Sequence, residues 1–262
     1  MAHRILMCSP QYYHAPGALR QWERFIELLR IAADVHIELV DPAPQAPDLV
    51  FTANAALVNG DLAIIATPAD PAQTIARKVY RGTLARLGFA TTFIDGASFA
   101  GTADALFDRV RPITYVGYGP HSDRIVTLQL GEFVAARVVP LGLAGPHFAH
   151  LDSVLCPLGS GHILVYMPAL NPHAQRLLHR TIEPEYLIEI SSADAMHYAC
   201  NAVELDDALI MHHASRGLRD RLLAAGYRVF STDLGEFIKR GAGAKRLTLR
   251  LDDGPAAAGA AA

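Results

Sequence analysis

Short apolar or β-branched runs recur along the chain: RILMCS, VHIELV, LVFTANAALV, LAIIAT, TTFID, ITYVGYG, RVVPLGL, HILVYM, YLIEIS, ALIMHH, YRVFS and LTLRL. Between some of them apolar residues fall at helical spacing instead, in PAQTIARKVYRGTLARLG, NPHAQRLLHRTI and SRGLRDRLLAAGY. Pro71 suits the first turn of the first of these; Ser215 suits an N-cap of the third, and Gly226 its C-terminal stop. The order strand, strand, helix, strand repeats at roughly fifty residues, without visible sequence self-similarity. That predicts an α/β fold of several similar units. Paired runs such as 49–58 with 62–67 place hairpins inside the units. The last run alternates: Leu247, Leu249 and Leu251 point one way, Arg246, Thr248 and Arg250 the other. Glycines at 241 and 243 allow a sharp bend before it and leave room beside the backbone, as at the rim of a site.

The 262 residues suit one large domain or two small ones; the organisation expected is a single domain over 1–252, followed by a disordered Ala/Gly tail at 253–262. With 51% apolar residues, 19% charged and a net charge of −3, the chain has no basic stripe for nucleic acid or a membrane surface. No apolar stretch reaches the ~20 residues that span a bilayer. Cys8, Cys156 and Cys200, at wide spacings, form neither a disulfide framework nor a zinc signature, and with no cleavable leader this points to the cytoplasm. Neither G-x-G-x-x-G after the first run nor G-x-x-x-x-G-K-[ST] is present, so no nucleotide cofactor is called for. Nothing in the pattern sets an oligomeric state.

His150 and Asp152, in HFAHLDSVLCPL, are two apart. On a strand they share a face and suit a proton shuttle and a cation holder; the alternative is a surface pair in a hairpin. Asn54, with Thr52, stands inside the apolar PDLVFTANAALV, where a buried amide is either a structural bridge or a ligand contact. Asp104 in FAGTADALF reads alone as a turn aspartate. In VGYGPHSD, His121 lies in a turn able to present it to a site, and Ser122 or Asp123 suits the cap of a following helix. Cys200 in YACNAVEL reads as a small buried hydrophobe, and the lone His212–His213 pair carries little metal signal.

Taken in order, ILMCSP, PDLVFTANAALV, GTADALF, VGYGPHSD, HLDSVLCPL, ACNAVELDDALI and GAGAKRLTLRL resemble the guanidino-group-modifying enzymes of the pentein superfamily. These are the dimethylarginine dimethylaminohydrolases, arginine deiminases and dihydrolases, and amidinotransferases. The resemblance spans nearly the whole chain. It implies a five-bladed α/β propeller of ββαβ-type units with the site at its pseudo-fivefold centre. It also implies an arginine-like small-molecule ligand and neither metal nor cofactor. In that family a cysteine thiolate attacks the guanidinium carbon. A histidine protonates the departing amine and later activates water, while acidic groups hold the planar cation. Carried over, the catalytic histidine is His150, and the substrate-binding positions are Asn54, Asp104, Asp152 and His121.

The chain departs from the pattern at its reactive positions. Where the resemblance expects the nucleophilic cysteine stands Arg246; where it expects a glutamate stands Ala100; where it expects an arginine in GYGxR stands His121. Cys156 and Cys200 fall at positions that are structural in close relatives. Beside a bound guanidinium, Arg246 would add a repulsion of about 4 kcal/mol at ~4 Å and an effective dielectric near 20. Swung away, it relieves that repulsion; paired with Asp152 or Asp104, it fills the guanidinium site itself. These departures imply a protein of the arginine-guanidino family that has lost thiol-dependent hydrolysis and retains a ligand-binding or regulatory role. The alternative is a C–N hydrolase acting on a guanidino compound through His150 and a non-standard nucleophile.

Overall fold

The computed structural model describes residues 2–68, 70 and 73–256. β1 (His3–Cys8) and β2 (Val35–Val40) run parallel, joined by α1 (Ala18–Ala32). The second sheet holds β3 (Ala56–Asn59) and β4 (Leu62–Ile65) as a hairpin, then β5 (Ala90–Phe93) parallel to β4 after α2 (Thr74–Arg86). The third repeats this with β6 (Ala105–Phe107), β7 (Ile113–Tyr118), α3 (Val126–Gln129) and β8 (Arg137–Gly142). The fourth holds β9 (Leu155–Pro157), β10 (Ile163–Val165), α4 (Pro172–Thr181) and β11 (Leu187–Glu189). After α5 (Ser192–Met196) come β12 (Val203–Leu205), β13 (Ala208–Met211), α6 (Arg216–Ala224) and β14 (Arg228–Ser231). α7 (Gly235–Ile238) leads to β15 (Leu249–Arg250), which pairs antiparallel with β1 and completes the first sheet.

The middle strand of each sheet is buried on both faces, and alternate residues feed different cores. In β1, Ile5 and Met7 pack with Ile210 of β13, whereas Leu6 and Cys8 pack with Ala63 and Ile65 of β4. Ile64 of β4 turns to Val116 of β7, and Tyr115 of β7 joins Ile163 and Val165 of β10. Leu164 of β10 joins Leu209 and Met211 of β13, whose Ala208 and Ile210 return to the first core. Five cores thus lie between neighbouring sheets and link them in a closed ring, the five-bladed propeller that the resemblance implies. Strands covered on both faces read as unbroken apolar runs, which is why they are visible in the sequence.

Short turns precede the antiparallel edge strand of each sheet, β3, β6, β9, β12 and β15, and ring the centre. Four are 3₁₀ turns, at Thr52–Asn54, Gly101–Ala103, Leu151–Ser153 and Lys245–Leu247, and the fifth closes from the Asn201 N–H to the Tyr198 carbonyl. Their spacing is the roughly fifty-residue period read from the sequence.

Local signals hold at several places. The Ser215 hydroxyl accepts the Leu218 N–H at the start of α6, and Gly226 follows its end at φ 94°. The Asn171 side chain likewise caps α4. The reading of Pro71 in a first turn lies outside the described residues. α1 escapes the sequence reading, although Trp22, Phe25, Ile26 and Leu29 recur at helical spacing and are buried. It begins at Gly17, φ 91°, with no side-chain cap, so the usual start signal is missing. Neither Ser122 nor Asp123 caps α3; Asp123 accepts the Ser98 N–H instead, and Ile125 holds the cap position. The run at 49–54 is not strand but two 3₁₀ turns, Pro47–Val50 and Thr52–Asn54. Beyond residue 252 the chain still packs: Asp253 is buried and its carboxylate pairs with Arg109. Residues 257–262 lie outside the described residues.

Candidate ligand site at the centre of the ring

A cavity of about 460 Å³ opens over the central turns. His121, His150, Ser153, Tyr198 and Arg246 line it, with Lys239 and Arg240 exposed beside them.

Arg246 reaches this cavity because the last strand is shorter than its alternation predicts. The 3₁₀ turn Lys245–Leu247 resets the parity before β15 begins at Leu249. Thr248 consequently lines a separate narrow polar space with Lys245, Glu204 and Asp253, not the face that Arg246 occupies. The two glycines act as the sequence implies. Gly241, at φ 72°, makes the bend, and a Cβ on Gly243 would come within 3.0 Å of Asn201. Asn201 is fully buried; its Oδ1 accepts the N–H of Gly243 at 2.9 Å and of Arg246 at 3.0 Å. Its Nδ2 donates to the Asp152 carbonyl at 3.2 Å, so one amide ties two of the five turns together.

Of the partners open to Arg246, it takes Asp152. Nε donates to Oδ2 at 2.7 Å and Nη2 to Oδ1, a side-on bidentate pair. Nη2 also reaches the Ser153 hydroxyl at 3.5 Å. The Asp152 side chain is 0% exposed and that of Arg246 5%. Burial alone would lower the arginine pKa; attraction to Asp152 more than offsets it, so the guanidinium is held above its ordinary value.

His150 and Asp152 do not share a strand face. His150 is extended just before the Leu151–Ser153 turn, and their side chains diverge, Asp152 to Arg246 and His150 to Asp104. Asp104 Oδ1 lies 3.2 Å from His150 Nδ1 and accepts the Leu151 N–H at 2.9 Å, while Oδ2 accepts the Ser122 hydroxyl at 2.6 Å. Burial would raise the Asp104 pKa, but His150, Ser122 and Leu151 together hold it below the usual carboxylate value. Nδ1 being engaged, Nε2 is the His150 nitrogen left for the cavity. The His121 ring stacks on His150, centroids 4.3 Å apart and planes 10° off parallel. Burial lowers the His121 pKa, His150 and Arg246 add to that, and Asp104 opposes it.

The remaining positions fall elsewhere. Ala100 is buried and forms a small apolar cluster with Ala53 and Ala103, so no carboxylate stands where the resemblance expects the glutamate. Asn54 is not brought into the cavity. Its turn points Thr52 inward, onto the Leu6 carbonyl, and leaves Asn54 lining a separate recess with Arg77 and Tyr80. Its Oδ1 is buried there without a hydrogen-bond partner. All three cysteines are buried and free, and none lines the His150 cavity. Burial pushes the Cys156 thiol up to about 12 and Cys200 well above its ordinary value. His212 Nδ1 accepts the Leu234 N–H. Among the described residues no three His, Cys, Asp or Glu side chains are placed to hold a metal ion, and no helix is long and apolar enough to cross a membrane. Ser122 and Asn201, which hold the two carboxylate turns, escape the sequence reading of the site. For Asn201 the signal is the one used for Asn54, an amide inside an apolar run.

The family model described as N,N dimethylarginine dimethylhydrolase, eukaryotic, matches residues 10–249. The bifunctional arginine dihydrolase/ornithine cyclodeaminase ArgZ of Synechocystis is 34% identical, over 95% of this chain and 38% of its own length. The chain thus spans well under half of that relative. The N(G),N(G)-dimethylarginine dimethylaminohydrolase of Mycobacterium tuberculosis is 29% identical, over 89% of this chain and 76% of its own. Among solved structures, the N-terminal domain of ArgZ bound to substrate superposes with a TM-score of 0.91 at 33% identity, covering 96% of this chain and 98% of that one.

Proposed function

Because the chain belongs to the N,N-dimethylarginine dimethylhydrolase family of the pentein fold, we propose that it is a non-hydrolysing member whose central site binds a ligand without thiol chemistry. One observation carries this reading: the side-on pair of Arg246 with Asp152. Arg246 stands at the position of the nucleophile, and its guanidinium occupies the carboxylate that the resemblance assigns to the substrate. A thiolate is both nucleophile and leaving group across the two steps of amidine hydrolysis, and an arginine can be neither. Ala100 at the acid position points the same way. The test is incubation of the purified protein with arginine and with dimethylarginine, followed by assay for ornithine, citrulline and ammonia. No product above a His150→Ala control is expected; turnover that needs His150 would overturn the reading.

A second reading is favoured by the His150–Asp104 pair, which has the geometry of an oriented general base. On it, His150 activates water directly against a C–N bond, with no covalent intermediate. The same assay separates the two.

A further inference from the structure

Asp152 engages only one edge of the Arg246 guanidinium, the one formed by Nε and Nη2. Nη1 makes no hydrogen bond to any described residue, and Arg246 lines the cavity. Nη2 donates to Asp152 and reaches the Ser153 hydroxyl, itself in the cavity lining, at 3.5 Å, so the end-on edge offers a ligand the free Nη1 and an Nη2 shared with Ser153. A guanidinium can hold one carboxylate side-on and a second end-on, since its five N–H donors lie in one plane.

The surroundings select the sign of that ligand. No carboxylate lines the cavity, because Asp104 and Asp152 lie beneath its surface, 1% and 0% exposed. What faces it instead are donors and cations: His150, His121, Arg246 and, at the open side, Lys239 and Arg240. Lys239 is already paired with Glu236, whereas Arg240 makes no ion pair among the described residues. An arginine-like side chain entering here would meet two guanidinium groups and no free acid. Met196, Ile238 and Pro146 add an apolar wall.

Resting on the reading that Arg246 fills the guanidinium seat, the geometry points to an anion site: a small organic acid with a short aliphatic body, held end-on by Arg246 and drawn in by Arg240. Carboxylate and phosphate share the planar or near-planar acceptor edge that this fork matches. The experiment separates them.

The intact protein is titrated calorimetrically at low salt with succinate, with inorganic phosphate and with agmatine, a guanidinium compound lacking a carboxylate. Succinate or phosphate is expected to bind with a Kd below about 1 mM, the stronger of the two naming the ligand's acid group, and agmatine is expected to give no heat. Arg240→Gln, an exposed change, should weaken the anion about tenfold and steepen nothing in its salt dependence. Arg246→Lys keeps a charge for Asp152 but removes the end-on edge, and should weaken it more than tenfold. If that variant fails to fold, Arg240→Gln at an unchanged melting temperature still decides the matter. No anion binding up to about 10 mM, or agmatine binding in place of the anions, overturns the inference and leaves the non-hydrolysing reading intact. Turnover of arginine overturns that reading instead.

Discussion

Removing the Arg246 side chain gives the sharpest test of the central pair. In Arg246→Ala, Asp152, fully buried in the parent protein, loses both guanidinium hydrogen bonds. The lost attraction is about 4 kcal/mol at a charge separation of ~4 Å and an effective dielectric near 20. Breaking one partner of a buried pair costs about 3–5 kcal/mol in total, because the survivor is left uncompensated. Urea unfolding followed by the fluorescence of the single tryptophan, Trp22, which is buried in the first core, measures this directly. The deficit also has a pH signature. An unpartnered buried carboxylate has a folded pKa above its unfolded value of about 3.9, so the variant loses stability as pH rises between the two. The gap to the parent protein therefore closes as pH falls toward 4 and is widest near neutrality. Millimolar methylguanidine, far below denaturing concentration, should occupy the vacated seat and raise the midpoint of Arg246→Ala but not of the parent. The double variant Arg246→Met/Asp152→Leu, with no charge left to bury, should fall within about 1 kcal/mol of the parent. A cost below about 1 kcal/mol for Arg246→Ala, independent of pH and of methylguanidine, would refute the reasoning.

Three further outcomes are expected. Native protein should resist iodoacetamide, since all three cysteines are buried, whereas Arg246→Cys should label once, at the cavity; labelling of the parent under native conditions contradicts the burial. Asn201→Ala should lower stability by about 2–4 kcal/mol, because it orphans two buried backbone N–H groups, and should speed hydrogen exchange at the Gly243 and Arg246 amides; unchanged exchange there would show that the loop is held by something else. Asp104 has a depressed folded pKa, so its contribution is present above the ordinary carboxylate value of 3.8 and is lost as pH falls through the folded value. Asp104→Asn should accordingly flatten the acid limb of the stability curve, and an unchanged limb would assign it to other carboxylates.

Much of the fold is legible because the middle strands are apolar on both faces and the turns between them carry glycine, asparagine and proline. What stays hidden has identifiable causes. The three-residue strands β6 and β9 are too short to show a period, and α1 starts without a polar cap. The site is legible as a set of positions, but the relations among them are not. His150 and Asp152 read as one unit on a strand; a single 3₁₀ turn sends them to different partners. The alternation of LTLRL places Arg246 beside Thr248, and another 3₁₀ turn separates them. Asn54 sits in a matching motif yet lines a different recess. In each case a change of helical pitch over three residues, invisible to period counting, decides where the side chain goes.

The strand that closes the ring is also the one that follows Arg246. β15 can pair with β1 only when some two hundred and fifty residues have left the ribosome, so Asp152 is synthesised long before its cation. Until then the carboxylate lacks its guanidinium, and only the three inter-sheet cores that take nothing from residues 242–251 can be completed around an unfinished centre. The central pair thus acts as a latch set last, and a nascent or nicked chain lacking Arg246 and β15 should be recognisable by an exposed core between β1 and β4, where Leu249 and Leu251 pack.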